Sequence, residues 1–318
     1  MYIRFFNFQL LPMRFHLLFL LLLSTHLGYC WGFAAHRAIN KHAVFSLPSP
    51  LIAFYKKHIA FIENESVTPD KRRYSSPNEG ARHYIDLDLF DSLPIMSWNH
   101  ATTKYGEENL KKNGILPWHM FLLKKQLTDA FREKNAARIL RLSADIGHYL
   151  ADANVPLHTT SNYNGQKTNQ HGIHGLWESR LPELFLPDYN LFVGKCTYID
   201  NLPSTIWATI LTSNDYTDSV LTIERSLSQL FPFVSKYSYE ERGSNITRVF
   251  SYEYCQLYHQ RLAGMVEKQL RNSILLTASF WYTCWVDAGT PDLSDLTYKQ
   301  RKKASDTSLQ NHSIDCKH

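Results

Sequence analysis

Apolar residues recur at helical spacing along most of this chain, and that periodicity limits its fold more than any other feature of the sequence. Pro117 stands where a first helical residue is expected, and Pro156 ends another apolar run. Strand-like alternation with hairpin turns is scarce. The helical stretches cover residues 51–62, about 117–134, about 136–153, 202–230 and 245–285. We therefore predict an all-α fold, a multi-helix bundle in a single domain.

The first thirty residues differ in composition from the rest of the chain. A basic start is followed by the apolar run Leu17–Leu23, which is far shorter than the roughly 20 residues that span a bilayer. The small residues Gly28 and Cys30 then occupy the positions that a signal peptidase inspects. Residues 1–30 are predicted to be a signal peptide that is cleaved before Trp31, which makes the protein secreted or periplasmic.

Composition sets the limits of the mature protein. The sequence has 318 residues with 34 basic and 29 acidic side chains, and its net charge of +5 is too diffuse to indicate nucleic-acid binding by itself. No later segment approaches the length of a membrane span, which excludes a multipass membrane protein. Residues 31–297 are predicted to form the helical domain, and the charged, polar residues 298–318 a disordered tail. The start codon stays open between Met1 and Met13.

Secretion gives the cysteines an oxidising context. Four would remain after cleavage, namely Cys196, Cys255, Cys284 and Cys316. They allow up to two disulfides, and both their pairing and the alternative of unpaired buried thiols stay open. None belongs to a CxxC pair, so zinc ribbons and thioredoxin chemistry are not supported.

Two histidine–carboxylate pairs indicate a metal site. His148 and Asp152 are four residues apart, which places them on one helix face about one turn apart, and His174 and Glu178 repeat that spacing. His158 follows Asp152 by six residues, where Pro156 has already ended the helix. Imidazole and carboxylate are ligand types that bind Zn²⁺. The small residues around His148 (Ala137, Ala144, Gly147 and Ala151) predict that a neighbouring helix approaches this face closely.

Other classes of site do not fit the sequence. It contains no HExxH zinc-protease helix, no glycine-rich phosphate loop and no GxSxG nucleophile turn. A di-iron bundle needs Glu-x-x-His pairs at a spacing of three, whereas in this chain the histidine comes first and the spacing is four. His171 competes with His174 as a ligand, but only His174 lies one turn before Glu178. The histidines without a partner at useful spacing are predicted to have surface or core roles: His42, His58, His100, His119 and His259. Residues 71–73 are interpreted as a solvated charge run.

The ligand spacing resembles a known superfamily. The run His148-x-x-x-Asp152-x-x-x-Pro156-Leu157-His158, followed by His174-x-x-x-Glu178, is similar to that of the trinuclear zinc phosphodiesterases. That group contains bacterial zinc-dependent phospholipase C and the single-strand nucleases of the S-one/P-one type. Its mature proteins begin with Trp, as this one would. The remaining positions of the resemblance are Trp31 and His36 at the start of the mature chain, Asp70 in Thr-Pro-Asp, and His83 in His-x-x-Asp.

The resemblance implies three zinc ions and nine protein ligands. One ion would be held by Asp70, His83, His148 and Asp152. A second would be held by His158, His174 and Glu178. The third would be held by the α-amine and carbonyl of Trp31, by His36 and by a shared Asp152. The implied fold is the all-α bundle of this superfamily.

The implied activity is hydrolysis of a phosphodiester by metal-bound hydroxide. Three Zn²⁺ ions and three carboxylates leave a net charge of +3, which suits an anionic substrate and its transition state. Zinc lowers the pKa of bound water to about 7. Asp70 is the candidate catalytic residue, and whether it is ligand, base or both stays open. Because a free α-amine is a better zinc donor than a peptide nitrogen, signal cleavage would complete the third site at Trp31.

The substrate is the least determined feature. Tyr84, Asp86 and Asn164 are candidate substrate-binding residues: an aromatic face stacks a base, and a carboxylate accepts from its amino edge. Glu178 as last ligand resembles the phospholipase branch, whereas the polar loop around Asn164 resembles the nuclease branch. Phospholipid head groups and single-stranded nucleic acid both remain candidate substrates. Peripheral contact with a membrane surface is also predicted, and no nucleotide cofactor is expected. The oligomeric state stays open.

Two observations would discriminate between these predictions. Exposed aromatic residues near the site would favour membrane lipid, and a basic groove would favour nucleic acid.

The alternative function is a non-catalytic zinc-binding or scaffold protein that retains the metal ligands for stability. Such a structural site would bind zinc without an open position.

Overall fold

The computed structural model describes residues 32–298. The predicted signal peptide, its cleavage point and Trp31 lie outside these residues, as does nearly all of the predicted tail. The described chain is mainly helical, which confirms the predicted all-α class. None of its helices is both long and apolar enough to cross a membrane.

Helices account for most of the described chain. In order they are α1 (Gly32–Phe45), α2 (Leu51–Lys57), α3 (Ile59–Glu65), α4 (Thr68–Arg72), α5 (Trp98–Tyr105), α6 (Glu107–Asn113), α7 (Leu116–Arg132), α8 (Ala136–Asp152), α9 (Leu181–Phe185), α10 (Leu202–Asn214), α11 (Thr217–Leu230), α12 (Phe233–Lys236), α13 (Tyr252–Arg261) and α14 (Met265–Asp287). Short 3₁₀ turns cover Gly80–Arg82, Leu87–Leu89, Pro156–Thr159 and Leu186–Asp188, and a π-helical turn covers Gly175–Arg180.

Helix α8 occupies the centre of the bundle. It packs against α1, α3, α7 and α14, and every residue from Ser143 to Asp152 is buried. Asn135 caps its start by accepting a hydrogen bond from the backbone N–H of Arg138. Trp281 of α14 donates its indole N–H to the Ser143 carbonyl at 3.1 Å. The second half of α8 is therefore held in place by protein contacts alone.

Helix α1 packs closely against α8, as the small residues predicted. The Asn40 amide donates to the carbonyls of Ala144 at 3.0 Å and Ile62 at 3.2 Å. A Cβ added to Gly147 would lie only 1.8 Å from the Asn40 Oδ1 atom. The glycine thus permits a contact that no larger residue could make without displacing a buried side chain.

One segment departs from the predicted helical pattern. Residues 245–285 were expected to be helical throughout, but their first part forms strand β2 (Asn245–Phe250), which pairs antiparallel with β1 (Tyr237–Arg242). Gly243 lies in the turn with a φ of 64°. The β-branched residues of β2 favour an extended backbone, and pairing with β1 gives that backbone its hydrogen bonds. This hairpin is the only sheet among residues 32–298.

Candidate metal centre

The first group of ligand atoms brings together distant parts of the chain. Asp70 Oδ1, His83 Nδ1, His148 Nε2 and Asp152 Oδ2 converge from three segments, because His148 and Asp152 both lie on α8. The His83 Nδ1 atom lies 2.9 Å from Asp152 Oδ2 and 3.8 Å from Asp70 Oδ1. The His148 Nε2 atom lies 3.1 Å from His83, 3.3 Å from Asp152 and 3.7 Å from Asp70. A zinc ion with bonds of about 2.0–2.1 Å in a tetrahedral site needs ligand atoms roughly 3.3 Å apart. The ligand atoms of Asp70, His83 and His148 lie within 4.8 Å of one another, and Asp152 is close enough to both histidines to share an ion with them.

A second group lies on the other side of the cluster. Glu178 Oε2 is 2.8 Å from His174 Nε2 and 3.3 Å from His158 Nε2, and the two imidazole rings are 4.9 Å apart. All three ligand atoms lie within 4.8 Å of one another. Three ligands of this kind form an incomplete tetrahedron, which is the arrangement of zinc sites that keep a position for substrate.

His36 connects the two groups. Its Nε2 atom lies 3.5 Å from Asp152 Oδ1 and 3.6 Å from Glu178 Oε1, and its ring stacks on His148 at 4.0 Å. Each carboxylate therefore turns one oxygen toward His36 and the other toward its own group. The sequence had suggested that Asp152 is shared, whereas the corresponding position of Glu178 was missed because nothing in its spacing indicates it.

Short-range structure places each of these side chains. Helix α8 carries His148 and Asp152 one turn apart, as their spacing predicted, and α1 carries His36. Pro69 opens the short helix α4 that holds Asp70. The 3₁₀ turn Pro156–Thr159 directs His158 back toward α8, and the π-helical turn Gly175–Arg180 carries Glu178 directly after His174. Single π turns are frequent at functional sites.

Backbone carbonyls fix the orientation of three imidazoles. The Nδ1 atom of His148 lies 2.9 Å from the Ser66 carbonyl, that of His158 lies 2.6 Å from the His83 carbonyl, and that of His174 lies 3.3 Å from the Tyr163 carbonyl. A proton on Nδ1 donates to each carbonyl and leaves the Nε2 lone pair facing the cluster. This outer support is typical of metal-binding histidines. Sequence reasoning missed it because the acceptors are main-chain atoms.

The electrostatics of the cluster suit cation binding. Burial, assisted by His36 and His83, holds the pKa of His148 well below its usual value, so the imidazole is neutral. Burial by itself raises the pKa of Glu178, but the neighbouring imidazoles, His158 foremost, hold it well below its usual value. Burial raises the pKa of Asp70. Neutral imidazoles and ionised carboxylates are the forms that bind zinc.

The candidate substrate residues lie beside the cluster and have structural contacts. Tyr84 is buried, and its hydroxyl donates to the Lys112 carbonyl at 2.9 Å; burial raises its pKa to about 12. Asp86 is half-buried, and burial with Asp88 nearby raises its pKa to about 7. The Asn164 side chain accepts a hydrogen bond from the Gly172 backbone N–H at 3.0 Å. Their role toward substrate stays a prediction.

Other side chains near the cluster correct or extend the sequence analysis. Residues 71–73 are not all a solvated charge run, because Arg72 reaches inward to pair with Asp145 at 3.0 Å and Glu79 at 3.2 Å. Glu79 itself is only 1% exposed and was not recognised from the sequence. His171 is exposed, whereas His174 lies in the second ligand group. Among the described cysteines, Cys196, Cys255 and Cys284 are unpaired thiols.

The comparisons with known proteins found distant structural similarity. No family model and no curated protein matches the sequence. The Clostridium perfringens alpha-toxin isolated from avian strain SWCP has a TM-score of 0.49 and 13% identity, over 83% of this chain and 66% of the toxin chain. The alpha toxin from Clostridium absonum has a TM-score of 0.47 and 14% identity, over 84% and 67%. This chain thus spans about two thirds of the toxins it is similar to, at TM-scores below 0.5.

Proposed function

We propose that this chain is a zinc-dependent phosphodiester hydrolase. The observation that carries the proposal is the convergence of eight side chains from the described residues into one cluster, in which His36 connects the two ligand groups through Asp152 and Glu178. A structural site closes around a single ion, whereas a cluster of linked, partly open sites is an arrangement suited to phosphoester hydrolysis. Three zinc ions are part of the proposal.

The third ion would need a ligand from the start of the mature chain. Gly32 lies close to the cluster, since a Cβ added there would be 3.6 Å from Glu178 Oε1. The residue before it is Trp31, whose α-amine becomes free if the predicted signal peptide is removed. We propose that cleavage completes this site. One extra residue before Trp31 should weaken binding of one zinc ion, and an extended protein that keeps three ions and full turnover would contradict this part.

The residues of the chain have distinct roles in the proposed reaction. Zinc bound here would supply Lewis acidity and a water of lowered pKa. The protein orients the imidazoles through their carbonyl contacts and keeps the site largely dry. Asp70 is 15% exposed, against 1% for Asp152, so it is the carboxylate best placed to accept a proton from an attacking water.

A specific surface favours phospholipid over nucleic acid. Phe233, Val234, Tyr239 and Ile246 are 75%, 90%, 72% and 71% exposed, and they follow one another through α12 and the β1–β2 hairpin. Tyr239 and Ile246 lie on the same face of the hairpin, by its register. Exposed aromatic and aliphatic residues of this kind suit the surface of a lipid bilayer.

The hairpin adjoins the segment that carries the second ligand group. The Phe250 ring lies 3.5 Å from the position of a Cβ on Gly172, two residues before His174. Arg180, at the end of the π-helical turn, pairs with Glu240 of β1 and lies 2.9 Å from Glu183. The exposed face of the hairpin also carries Arg248 opposite Tyr239 and Glu241 opposite Ile246, so it combines apolar and charged side chains, as a surface at a lipid head-group region can. Attached to this turn, it would bring a lipid interface near the cluster. We therefore propose a phospholipid head-group diester as the substrate, cleaved by a secreted or periplasmic enzyme.

The experiment compares substrates and a matched pair of histidine variants. The protein starting at Trp31 is assayed on phosphatidylcholine vesicles, single-stranded DNA and a chromogenic phosphodiester, with and without chelator, and its zinc content is measured. We expect chelator-sensitive hydrolysis of vesicles. His174→Ala should lower turnover at least about 100-fold by removing a ligand, whereas His171→Ala, three residues earlier and exposed, should not.

Three outcomes would contradict the proposal. Hydrolysis of DNA alone would keep the reaction class and reject the lipid. Zinc binding without turnover on any diester would favour the scaffold alternative. Full activity of the chelated protein or of His174→Ala would reject zinc-dependent hydrolysis.

A further inference from the structure

A buried carboxylate lies behind the first ligand group. Glu79 Oε1 is 3.9 Å from His83 Nε2, the ring nitrogen that faces away from the cluster. His83 turns its Nδ1 atom toward Asp152 and His148, so the proton of the neutral ring belongs on Nε2. In three other histidines of the cluster, the ring nitrogen turned away from the ligand atoms lies within hydrogen-bond distance of a backbone carbonyl. Behind His83 the corresponding group is a carboxylate, at 3.9 Å.

Three side chains hold Glu79 in position. Arg82 Nη1 lies 2.6 Å from Glu79 Oε2, and Arg72 Nη2 lies 3.2 Å from Oε1. The Tyr149 hydroxyl donates a short hydrogen bond to Oε1 and accepts one from Arg72 at 3.2 Å. A carboxylate that is 1% exposed is costly unless it is paired and hydrogen-bonded in this way.

Tyr149 connects this network to two ligands at once. Its ring packs edge-to-face against His83 at 5.2 Å and against His148 at 5.5 Å between centroids. It follows His148 directly on α8. The side chain that fixes Glu79 thus also limits the rotation of both imidazoles.

We propose that Glu79 is a positioning residue for His83: it accepts the Nε2 proton and so directs the Nδ1 lone pair to the first metal group. A carboxylate behind a metal-binding imidazole fixes its tautomer and increases its basicity, and loss of such a partner typically costs 10–100-fold in metal affinity. The 3.9 Å separation is longer than a direct hydrogen bond, so the ring and the carboxylate must approach each other by about 1 Å for the proton to be shared. The inference rests on the metal-binding part of the proposed function and not on the substrate.

The test compares two carboxylates that share Arg72. Glu79→Gln keeps the shape of the side chain and removes its charge. Asp145→Asn is the matched control, because Asp145 pairs with the same guanidinium at 3.0 Å. Zinc affinity of the protein starting at Trp31 is measured by competition with a chromophoric chelator, without reference to turnover. We expect Glu79→Gln to weaken one zinc ion 10–100-fold and Asp145→Asn to change it less than about threefold.

A spectroscopic measurement separates positioning from general destabilisation. In the zinc-loaded protein, the imidazole proton on His83 Nε2 should shift in the nuclear magnetic resonance spectrum of Glu79→Gln and stay in place in Asp145→Asn. If Glu79→Gln does not fold, Tyr149→Phe removes the hydroxyl that holds Glu79 while keeping the ring, and we expect a smaller loss of affinity.

The outcomes distinguish this inference from the proposed function. Wild-type affinity in Glu79→Gln, or in Tyr149→Phe where Glu79→Gln does not fold, would overturn the role of Glu79. Equal losses in Glu79→Gln and Asp145→Asn would do the same. A wild-type protein that binds no zinc would instead reject the metal site itself.

Discussion

Gly147→Ala should separate the two helices that carry His36 and His148. The new Cβ would lie 1.8 Å from Asn40 Oδ1 and 2.7 Å from its Cγ, distances at which the asparagine must move. Asn40 is fully buried and donates to two carbonyls, one on α8 and one at the α3 residue Ile62. Its displacement would break both hydrogen bonds and leave a buried amide without partners.

The expected cost follows from these contacts. Each lost hydrogen bond is worth about 1 kcal/mol, and an unsatisfied buried amide costs about 1–3 kcal/mol more. Alanine in a helix interior returns about 1 kcal/mol relative to glycine. We therefore expect Gly147→Ala to lower the free energy of unfolding by about 2–4 kcal/mol.

Urea unfolding of a double-mutant cycle tests this reasoning. In an Asn40→Ala background the obstacle is gone, so Gly147→Ala should become neutral or stabilising. Gly80→Ala is the control, because a Cβ there meets nothing within 4 Å, and it should change the free energy little. An equal loss in both backgrounds, or a Gly147→Ala protein as stable as the wild type, would refute the proposed clash.

Three further predictions concern titration and metal removal. Because burial, with Asp88 nearby, raises the folded-state pKa of Asp86 to about 7, its stabilising contribution is complete below the unfolded-state pKa of about 3.9 and is lost as the pH rises from there to about 7. Asp86→Asn should therefore reduce the fall in Tm between about pH 4 and 7.5, and an unchanged pH profile would contradict this. Burial alone raises the pKa of Glu224, but hydrogen bonds from Lys236 and Tyr254 lower it, so the contribution of Glu224 to stability is lost as the pH falls below about 4.3. Glu224→Gln should lower the free energy of unfolding in urea by about 3 kcal/mol at pH 7, and an unchanged free energy would reject the network. Removal of zinc by a chelator should lower Tm reversibly, because each zinc ion at a free concentration of 100 times its dissociation constant adds about 3 kcal/mol to the free energy of unfolding. A Tm that changes with neither chelator nor zinc would argue against the site.

The parts of the fold that depend on the sequence pattern of a single helix could be predicted. Helices α7 and α8 begin and end within about two residues of their predicted limits, because proline and an asparagine cap punctuate a strong apolar periodicity. The β1–β2 hairpin was missed because β-branched and polar residues of β2 merge in sequence with the helices that follow. Its strands depend on pairing with each other, which a single-segment pattern does not display.

The site was predictable only in part. The two His–carboxylate pairs were readable because i, i+4 residues share a helix face wherever that helix packs. Asp70 and His83 have no such spacing, and they were assigned through a family resemblance. The pairing of Arg72 with the buried Glu79 could not be predicted, because a basic residue within a basic run is expected to be solvated unless its partner is known.

The sequence by itself determined the long helices and the ligand types of the two His–carboxylate pairs. Helical periodicity and four-residue spacing are properties of neighbouring residues, so they do not depend on how the chain packs. Only the tertiary structure decided that His83 and His148, 65 residues apart, approach within 3.1 Å, and that Glu178 turns one oxygen toward His36 on α1. Such contacts depend on how loops close and on which helix faces fit together, here through Gly147 and Asn40, and both are set by packing over the whole core.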